Sequence, residues 1–418
     1  MGTSFIEYSP SQLNLLPQDP SEWLPEEHLA YFIKDTVGEI DLGRLYAKYQ
    51  GDGRRNQPYH PRMLIQVLLY GYCTGVFSSR KIARKIEEDI AFRVLAGDNR
   101  PHHTTLCKFR EAHLADFEDI FRQVLQIARE AKLCRLGVVA IDGSKIKANA
   151  SRHKAMSYDR MKSSEKKLKK EIAEITRRAR GEDAAEDVDF GEEFRGDELP
   201  QELSRRETRL ATIKAAKKRL EQRAKDEKQA LPEDKAQENF TDSDSRIMKT
   251  AQGDFQQCYN AQIAVDADNH LIVANDLTQN TTDYGSLIPM VAEVEEVTGQ
   301  VPDITLADAG YKSEDNFKVL NQKNIASLVS IGREGKKSGS IAPDKKLTKR
   351  MLKKLNTKKG KKQYKRRKAI VEPVFSWIKQ VLGFRRFSVR GLTKVQGEWS
   401  LVCCAINLKR LSSMIEFA

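Results

Sequence analysis

The run Gly137-Val138-Val139-Ala140-Ile141-Asp142-Gly143 is apolar, β-branched and closed by an acid and a glycine. Such a stretch reads as a buried strand ending in a carboxylate. A second run, Ile304-Thr305-Leu306-Ala307-Asp308-Ala309-Gly310, repeats the pattern. Between them, Tyr259–Val265 and Leu271–Leu277 are β-rich and joined by Asp266-Ala267-Asp268-Asn269, which predicts a hairpin. A helix carrying Leu287, Val291 and Val294 follows, with Asn280 and Asp283 near its start as expected caps. Next come a helix from Ser313, a strand over Ala326–Ile331, and amphipathic helices over Ala369–Leu382 and Val395–Met414. That order predicts an α/β fold around a mixed sheet.

Outward from this core, three other regions separate. Residues 1–135 read as a helical N-terminal domain. A turn at Pro58-Tyr59-His60-Pro61 precedes Leu64, Val67 and Leu68 at helical spacing. Ser78 or Ser79 caps a helix bearing Ile82, Ile86 and Ile90, and a helix from Thr104 turns Phe109, Leu114 and Phe117 inward. Short helices around a tight turn, with Arg80, Lys81, Arg84 and Lys85 on the second, fit a helix-turn-helix-like DNA module. Residues 136–418 form the expected catalytic domain, interrupted by a charged insertion over 155–240. There Met161, Leu168, Ile172 and Ile175, then Leu203, Leu210, Ile213 and Leu220, make two heptad-like seams across an acidic connection, Gly181–Leu199. They predict an inserted helical hairpin, whose mixed charge suits dimerisation better than DNA contact.

Charge narrows the function. The net charge is +13, yet the stretch Lys336–Lys368 holds thirteen Lys and three Arg against one acid, Asp344. The rest of the chain is therefore close to neutral, and a polyanion is the natural partner of that stretch. No apolar run approaches the ~18 residues of a membrane span. Met1–Pro17 lacks a basic start followed by an apolar segment, so export by a signal peptide is not expected. The six cysteines are scattered and form no C-x-x-C pair, which points to a reducing cytoplasm. His102, His103 and Cys107 mimic a metal site but have no second ligand pair, so a loop and helix cap is the expected role.

The acids carry the chemistry. Asp142 and Asp308 sit at predicted strand ends, and Glu372 lies in Val371-Glu372-Pro373-Val374-Phe375, near an expected helix start with Pro373 in the first turn. Three acids can hold two Mg²⁺ ions, with Mn²⁺ as a substitute, and two metals can clamp the attacking and leaving oxygens of a phosphoryl displacement. Either Asp-Gly alone would be an ordinary turn. The basic stretch ends where Glu372 begins, which sets phosphate-binding charge beside the acids. Lys379 lies two turns beyond Glu372. Trp377, Phe384 and Phe387 stand among Arg385, Arg386 and Arg390; base stacking is one role, and core packing the expected one for Trp377.

In these residues the chain resembles the DDE transposases of bacterial insertion sequences. It is most similar to the insertion sequence four and five group, and within it to the insertion sequence eleven-eighty-two family. The resemblance rests on Val139–Lys145, Cys258–Asp266, Ala307–Tyr311, Val371–Lys379, Gly383–Phe387 and the stretch Tyr59–Arg110. It implies an RNase H-like core with Asp142, Asp308 and Glu372 as the metal-binding triad. It implies an enzyme that binds the ends of its element, cuts phosphodiester bonds and joins 3′ ends to target DNA, with water and then a 3′-hydroxyl as nucleophiles. Lys379 matches a Lys that follows the family's Glu. The Tyr and Arg that precede that Glu fall on Lys365 and Lys368, with Tyr364 and Arg367 each one residue away. Double-stranded DNA is the implied partner, held by Arg80, Lys81, Arg84, Lys361, Lys362, Lys365, Arg366, Arg367 and Lys368, and the protein is expected to be a homodimer. A transposase-derived DNA-binding protein without catalysis, or a nuclease without strand transfer, are the alternatives.

Overall fold

A computed structural model describes residues 20–49, 57–151, 154–190, 201–332 and 344–415. The start of the chain through Pro17, the first two lysines of the basic stretch (Lys336 and Lys337), and residues 191–199 of the acidic connection between the inserted helices lie outside the described residues.

The N-terminal region is helical: α1 (Leu29–Glu39), α2 (Gly43–Tyr46), α3 (Pro61–Cys73), α4 (Ser79–Glu88), α5 (Ile90–Ala96), α6 (His103–Ala112) and α7 (Asp116–Glu130). Pro61 opens α3, where its missing N–H costs nothing. Ile82 and Ile86 are buried as the periodicity predicts, but Ile90 is not, at 42% exposure. The helix stops at Glu88 because Asp89 leaves the helical conformation and caps α5, accepting a bond from Ala91 N at 3.0 Å. The helix expected from Thr104 likewise breaks at His113, yet Phe109, Leu114 and Phe117 all reach the core. His102 is the N-cap of α6, as expected of a loop and cap.

The sheet begins with β1 (Val138–Lys147), which is longer than its apolar run. It is followed by a ribbon strand β2 (Ala155–Ser157), α8 (Tyr158–Phe190), α9 (Gln201–Asp226) and the returning ribbon strand β3 (Gln237–Asn239). The hairpin expected from the heptad-like seams is present: α8 packs along α9. A small separate core of Met156, Tyr158, Met161, Leu168, Ile213, Ala216 and Leu220 holds its base. Glu238 is wholly buried there between Arg219 and Arg223, a charge that only such pairing makes tolerable.

Beyond the insertion come β4 (Arg246–Lys249), β5 (Phe255–Asp266), β6 (Ile272–Thr278), α10 (Leu287–Thr298), β7 (Ile304–Ala307), α11 (Glu314–Gln322) and β8 (Ser327–Val329). The sheet runs β5, β1, β7, β8, with β4 and β6 both lying along the outer side of β5. The β5 pairings with β1, β4 and β6 are antiparallel, and β1–β7–β8 are parallel. This is the mixed α/β sheet the sequence predicts, and its strand pattern is compatible with an RNase H-like core. Asp142 does not end its strand, however. Its pairing with β5 continues from Val139↔Asp266 to Lys147↔Cys258, and the long antiparallel partner overrides the turn tendency of Asp-Gly.

The last elements are α12 (Lys346–Asn356), α13 (Lys358–Ser376), a π-turn over Trp377–Val381, and α14 (Leu392–Ile415). Here the expectation for Glu372 needs correcting. Its helix starts at Lys358, capped by Thr357, so Glu372 and Pro373 lie deep in the helix and not in its first turn. The like charges of residues 358–368 oppose a helix locally, but Ile370, Val371 and Val374 bury a face that sustains it. Phe384 and Phe387 are each 1% exposed and pack on each other, which removes them from base stacking. Trp377 is half-buried, with the Arg410 guanidinium 5.6 Å from its ring centre.

One apolar core joins the N-terminal helices, the sheet and α14. In α14, Trp399 and Leu401–Ala405 are wholly buried against α7, α3 and β6. Glu398, also wholly buried, accepts bonds from Tyr72 Oη at 2.9 Å and Ser388 N at 2.7 Å. Arg110 Nη1 donates to the same tyrosine oxygen at 3.2 Å. This polar pin ties α3 and α6 to α14.

Candidate active site

Register brings the first two acids together. The parallel pairing of β1 with β7 ends at Ile141↔Ala307, so Asp142 and Asp308 are the next residues on neighbouring strands. Adjacent strands lie ~4.8 Å apart. Further along, Lys147 N donates to Arg385 O at 3.2 Å and Phe387 N donates to Lys147 O at 2.9 Å, so the segment 385–387 takes over beside β1. Between β7 and that segment, the β1 edge over residues 142–146 pairs with no strand among the described residues.

Helix α13 and its π-turn cover that opening. Arg367 Nη1 donates to Asp142 Oδ2 at 3.1 Å, and Lys379 Nζ donates to Ser144 Oγ and, at 3.4 Å, to Lys145 O. Arg367 was expected among the DNA-facing cations; it is buried instead, with its side chain only 8% exposed. Tyr364, one turn earlier, hydrogen-bonds it. The pair next to Asp142 is thus Tyr364 and Arg367, and not Lys365 and Lys368. Lys361, Lys362, Lys365, Arg366 and Lys368 are exposed, as are Arg80, Lys81 and Arg84, the last paired with Glu88 at 2.6 Å.

Glu372 lies between Arg367 and Lys379 on the same helix and is exposed. It does not join the aspartates: among the described residues, no three His, Cys, Asp or Glu side chains are grouped to hold a metal ion.

A third carboxylate is close, and it is one that helix-cap logic assigned elsewhere. Asp283 Oδ1 accepts from Asn260 Nδ2 at 2.7 Å, Gln262 Nε2 at 2.8 Å and Lys145 Nζ at 3.2 Å. Ser286, not Asp283, is the N-cap residue of α10. Tyr311 Oη completes the cluster by donating to Gln262 Oε1. The available signal was Asn260 and Gln262, two amides at alternate positions of the β-rich run Tyr259–Val265, which must find polar partners when buried. Gly143 is needed here, because a Cβ would meet Gln262 and lie 2.5 Å from Asp283 Oδ1.

Electrostatics mark the cluster. Burial pushes the Asp142 carboxyl up to about 6, with repulsion from Asp308 and Asp283 adding to the rise and Arg367 opposing it. Burial, then repulsion from Asp283, also raises Asp308, while the bond it accepts from Gly310 N at 2.7 Å and the charge of Arg367 oppose the rise. Neighbouring carboxylates, one of them bonded to a guanidinium, suit a hard divalent cation. Asp142 and Asp308 fit that role as they stand; Glu372 would have to turn inward. Burial, together with the positive charges of Lys145 and Arg385, lowers the Lys379 pKa.

Two family models match parts of the chain. A family model described as a transposase DDE domain matches residues 213–408, which include Asp308 and Glu372 but not Asp142. A second, described as a transposase domain (DUF772), matches residues 18–112. No curated protein and no solved structure matches the chain. Among the described residues, no helix is long and apolar enough to cross a membrane. With a DDE domain following a DUF772 domain, the arrangement typical of the insertion sequence four and five group, the chain belongs to the DDE transposases of insertion sequences.

Proposed function

We propose that this transposase binds the ends of its own element, cuts phosphodiester bonds there and joins the freed 3′ ends to target DNA, on an RNase H-like core. The observation that carries the reading is the side-by-side register of Asp142 and Asp308 beneath a helix that brings Arg367 and Lys379 to the same strand. Asp142, Asp308 and, after a change of side-chain rotamer, Glu372 would hold Mg²⁺, or Mn²⁺ in its place. Such ions supply Lewis-acid activation of the attacking and leaving oxygens. Arg367 holds the Asp142 carboxylate in place, and Lys379 stands where it can position a phosphate. The exposed cations of α13 (Lys361, Lys362, Lys365, Arg366, Lys368) and of α4 (Arg80, Lys81, Arg84) bind the DNA backbone. Membership of the insertion sequence eleven-eighty-two family is the finer assignment we favour, on the motif stretches around each acid.

The test is incubation with DNA carrying the element ends and Mg²⁺, followed by mapping of nicks and joined products. Asp142→Asn is expected to abolish cleavage and leave end binding nearly intact; a variant that still cuts overturns the assignment. The exposed position of Glu372 favours one second reading, a DNA-binding protein derived from a transposase, and a wild-type chain that binds ends without nicking them would establish it. The inserted hairpin is assigned to homodimerisation, in a protein acting on DNA in the cytoplasm. Deleting residues 161–231 and measuring mass by light scattering tests this, and unchanged assembly would refute it.

A further inference from the structure

We infer that a second cleft, at the far end of β1 from the sheet's parallel half, is a phosphate track that carries duplex DNA away from the paired aspartates. This deepens the reading of Asp142 and Asp308 as a DNA-cutting site and rests on it. The cleft has a volume of about 400 Å³ and is lined by Lys145, Lys147, Lys379, Arg385 and Arg386, with the turn residues Thr250–Gln252 and Gln380 on its rim. Five cations face it, and no carboxylate lines it.

That imbalance is what distinguishes it. The larger cleft at the base of the inserted hairpin, about 560 Å³, sets Arg223 and Arg246 against Asp226, Glu227 and Glu233, and so has no net preference for an anion. In the basic cleft one of the five cations, Lys145, is paired with a carboxylate just outside it, Asp283 at 3.2 Å. Asp283 takes Lys145 together with two amides, and Asp254 bonds Thr250 and Gln256, feeling Lys147 only at a distance.

The main chain that carries Lys147 is also fixed, and so is the Arg385 side chain, which a merely solvated surface does not require. Lys147 is held by backbone bonds to Arg385 and Phe387 on one side and by its pairing with Cys258 on the other. Arg385 Nε donates to Lys379 O at 3.0 Å, tying the loop after the π-turn to the helix. Like charges held together by backbone geometry repel one another, and a row of phosphates relieves that repulsion.

Position sets the ligand. From Asp142 to Lys147 a strand advances about 16 Å. Phosphates of one duplex strand recur every ~3.4 Å along the axis, so the track spans roughly five base pairs from the acids. Lys147, Lys379, Arg385 and Arg386, beside the paired Lys145, would grip the backbone and read no sequence.

The experiment measures binding of a 30-base-pair duplex without divalent metal, as a function of salt, by fluorescence anisotropy. Lys147→Gln combined with Arg386→Gln is expected to reduce the slope of log K against log salt by about 1.8, and affinity by roughly tenfold or more at 0.1 M salt. The charge-conserving pair Lys147→Arg and Arg386→Lys is expected to keep the wild-type slope, and melting curves show that each variant is folded. Lys318→Gln with Lys323→Gln, exposed on α11 and at its C-cap, removes the same charge elsewhere and is expected to leave the slope unchanged. An unchanged slope in the first pair, or an equal loss in the α11 pair, overturns the track. Because no cutting is involved, failure here is separate from failure of the cleavage reading. A protein that nicks DNA while the first pair binds normally loses the track alone.

Discussion

Arg367 Nη1 and Asp142 Oδ2 meet at 3.1 Å although 225 residues separate them in the chain. This contact anchors the helix that carries Glu372 to the strand that carries the first acid. It also leaves Asp142 with a protein-borne counter-charge when no cation is bound.

Replacing Arg367 with Ala should therefore change how the protein responds to Mg²⁺. Removing one partner of a mostly buried pair is expected to cost about 2 kcal/mol in metal-free buffer, since Asp142 keeps some solvent contact. Added Mg²⁺ should then raise the melting temperature of the variant more than that of the wild type, through preferential binding to the folded state. Equal shifts in thermal melts with and without Mg²⁺ would mean that the guanidinium and the cation do not share Asp142.

Asp283 supports the site from behind. Asp283→Ala strips Lys145, Asn260 and Gln262 of a shared acceptor, and unpaired buried polar groups cost about 1–3 kcal/mol each in the worst case. Cleavage should fall at least about tenfold while duplex binding stays within a few-fold, read from single-turnover nicking and anisotropy on the same preparation.

Gly143→Ala probes the same packing without touching a charge. Its methyl would collide with the Gln262 amide and press on Asp283, forcing a shift beside Asp142. A displacement near 1 Å next to the reacting groups can cost ~100-fold in rate, with a stability loss of about 1–3 kcal/mol. Wild-type nicking rates in the variant would show that the strand can yield there.

Far from the acids, Glu398→Ala should destabilise the whole chain. It removes the acceptor of Tyr72, Ser388 and, through Tyr72, the buried Arg110. A loss of about 3 kcal/mol is expected in urea unfolding, with no separate transition for the N-terminal helices, because they share the core with α14.

Much of this was legible in the residues. Apolar runs ending at Asp142 and Asp308 marked two strands correctly, and the seams from Met161 to Leu220 marked the hairpin. What local pattern could not supply was pairing. Nothing near Asp142 says that β5 will extend its strand to Lys147, and nothing near Lys358 says that a core face beginning at Ile370 will hold the mostly basic residues 358–368 in a helix. Asp283 was misread for the same reason: its hydrogen bonds reach Asn260, 23 residues back, and Lys145, 138 residues back. Tyr364 and Arg367 stand one residue out of the expected frame, and it is Arg367, bonded by Tyr364, that meets Asp142.

The Tyr72–Glu398 bond spans 326 residues. During synthesis at ~5–20 residues per second, α3 must therefore wait on the order of half a minute for its seat on α14. A nascent or prematurely terminated polypeptide lacks that seat, along with the wholly buried Trp399. Ribosomal drop-off upstream of α14 thus yields products with an exposed apolar face, fit for proteolysis and unable to shuffle a genome.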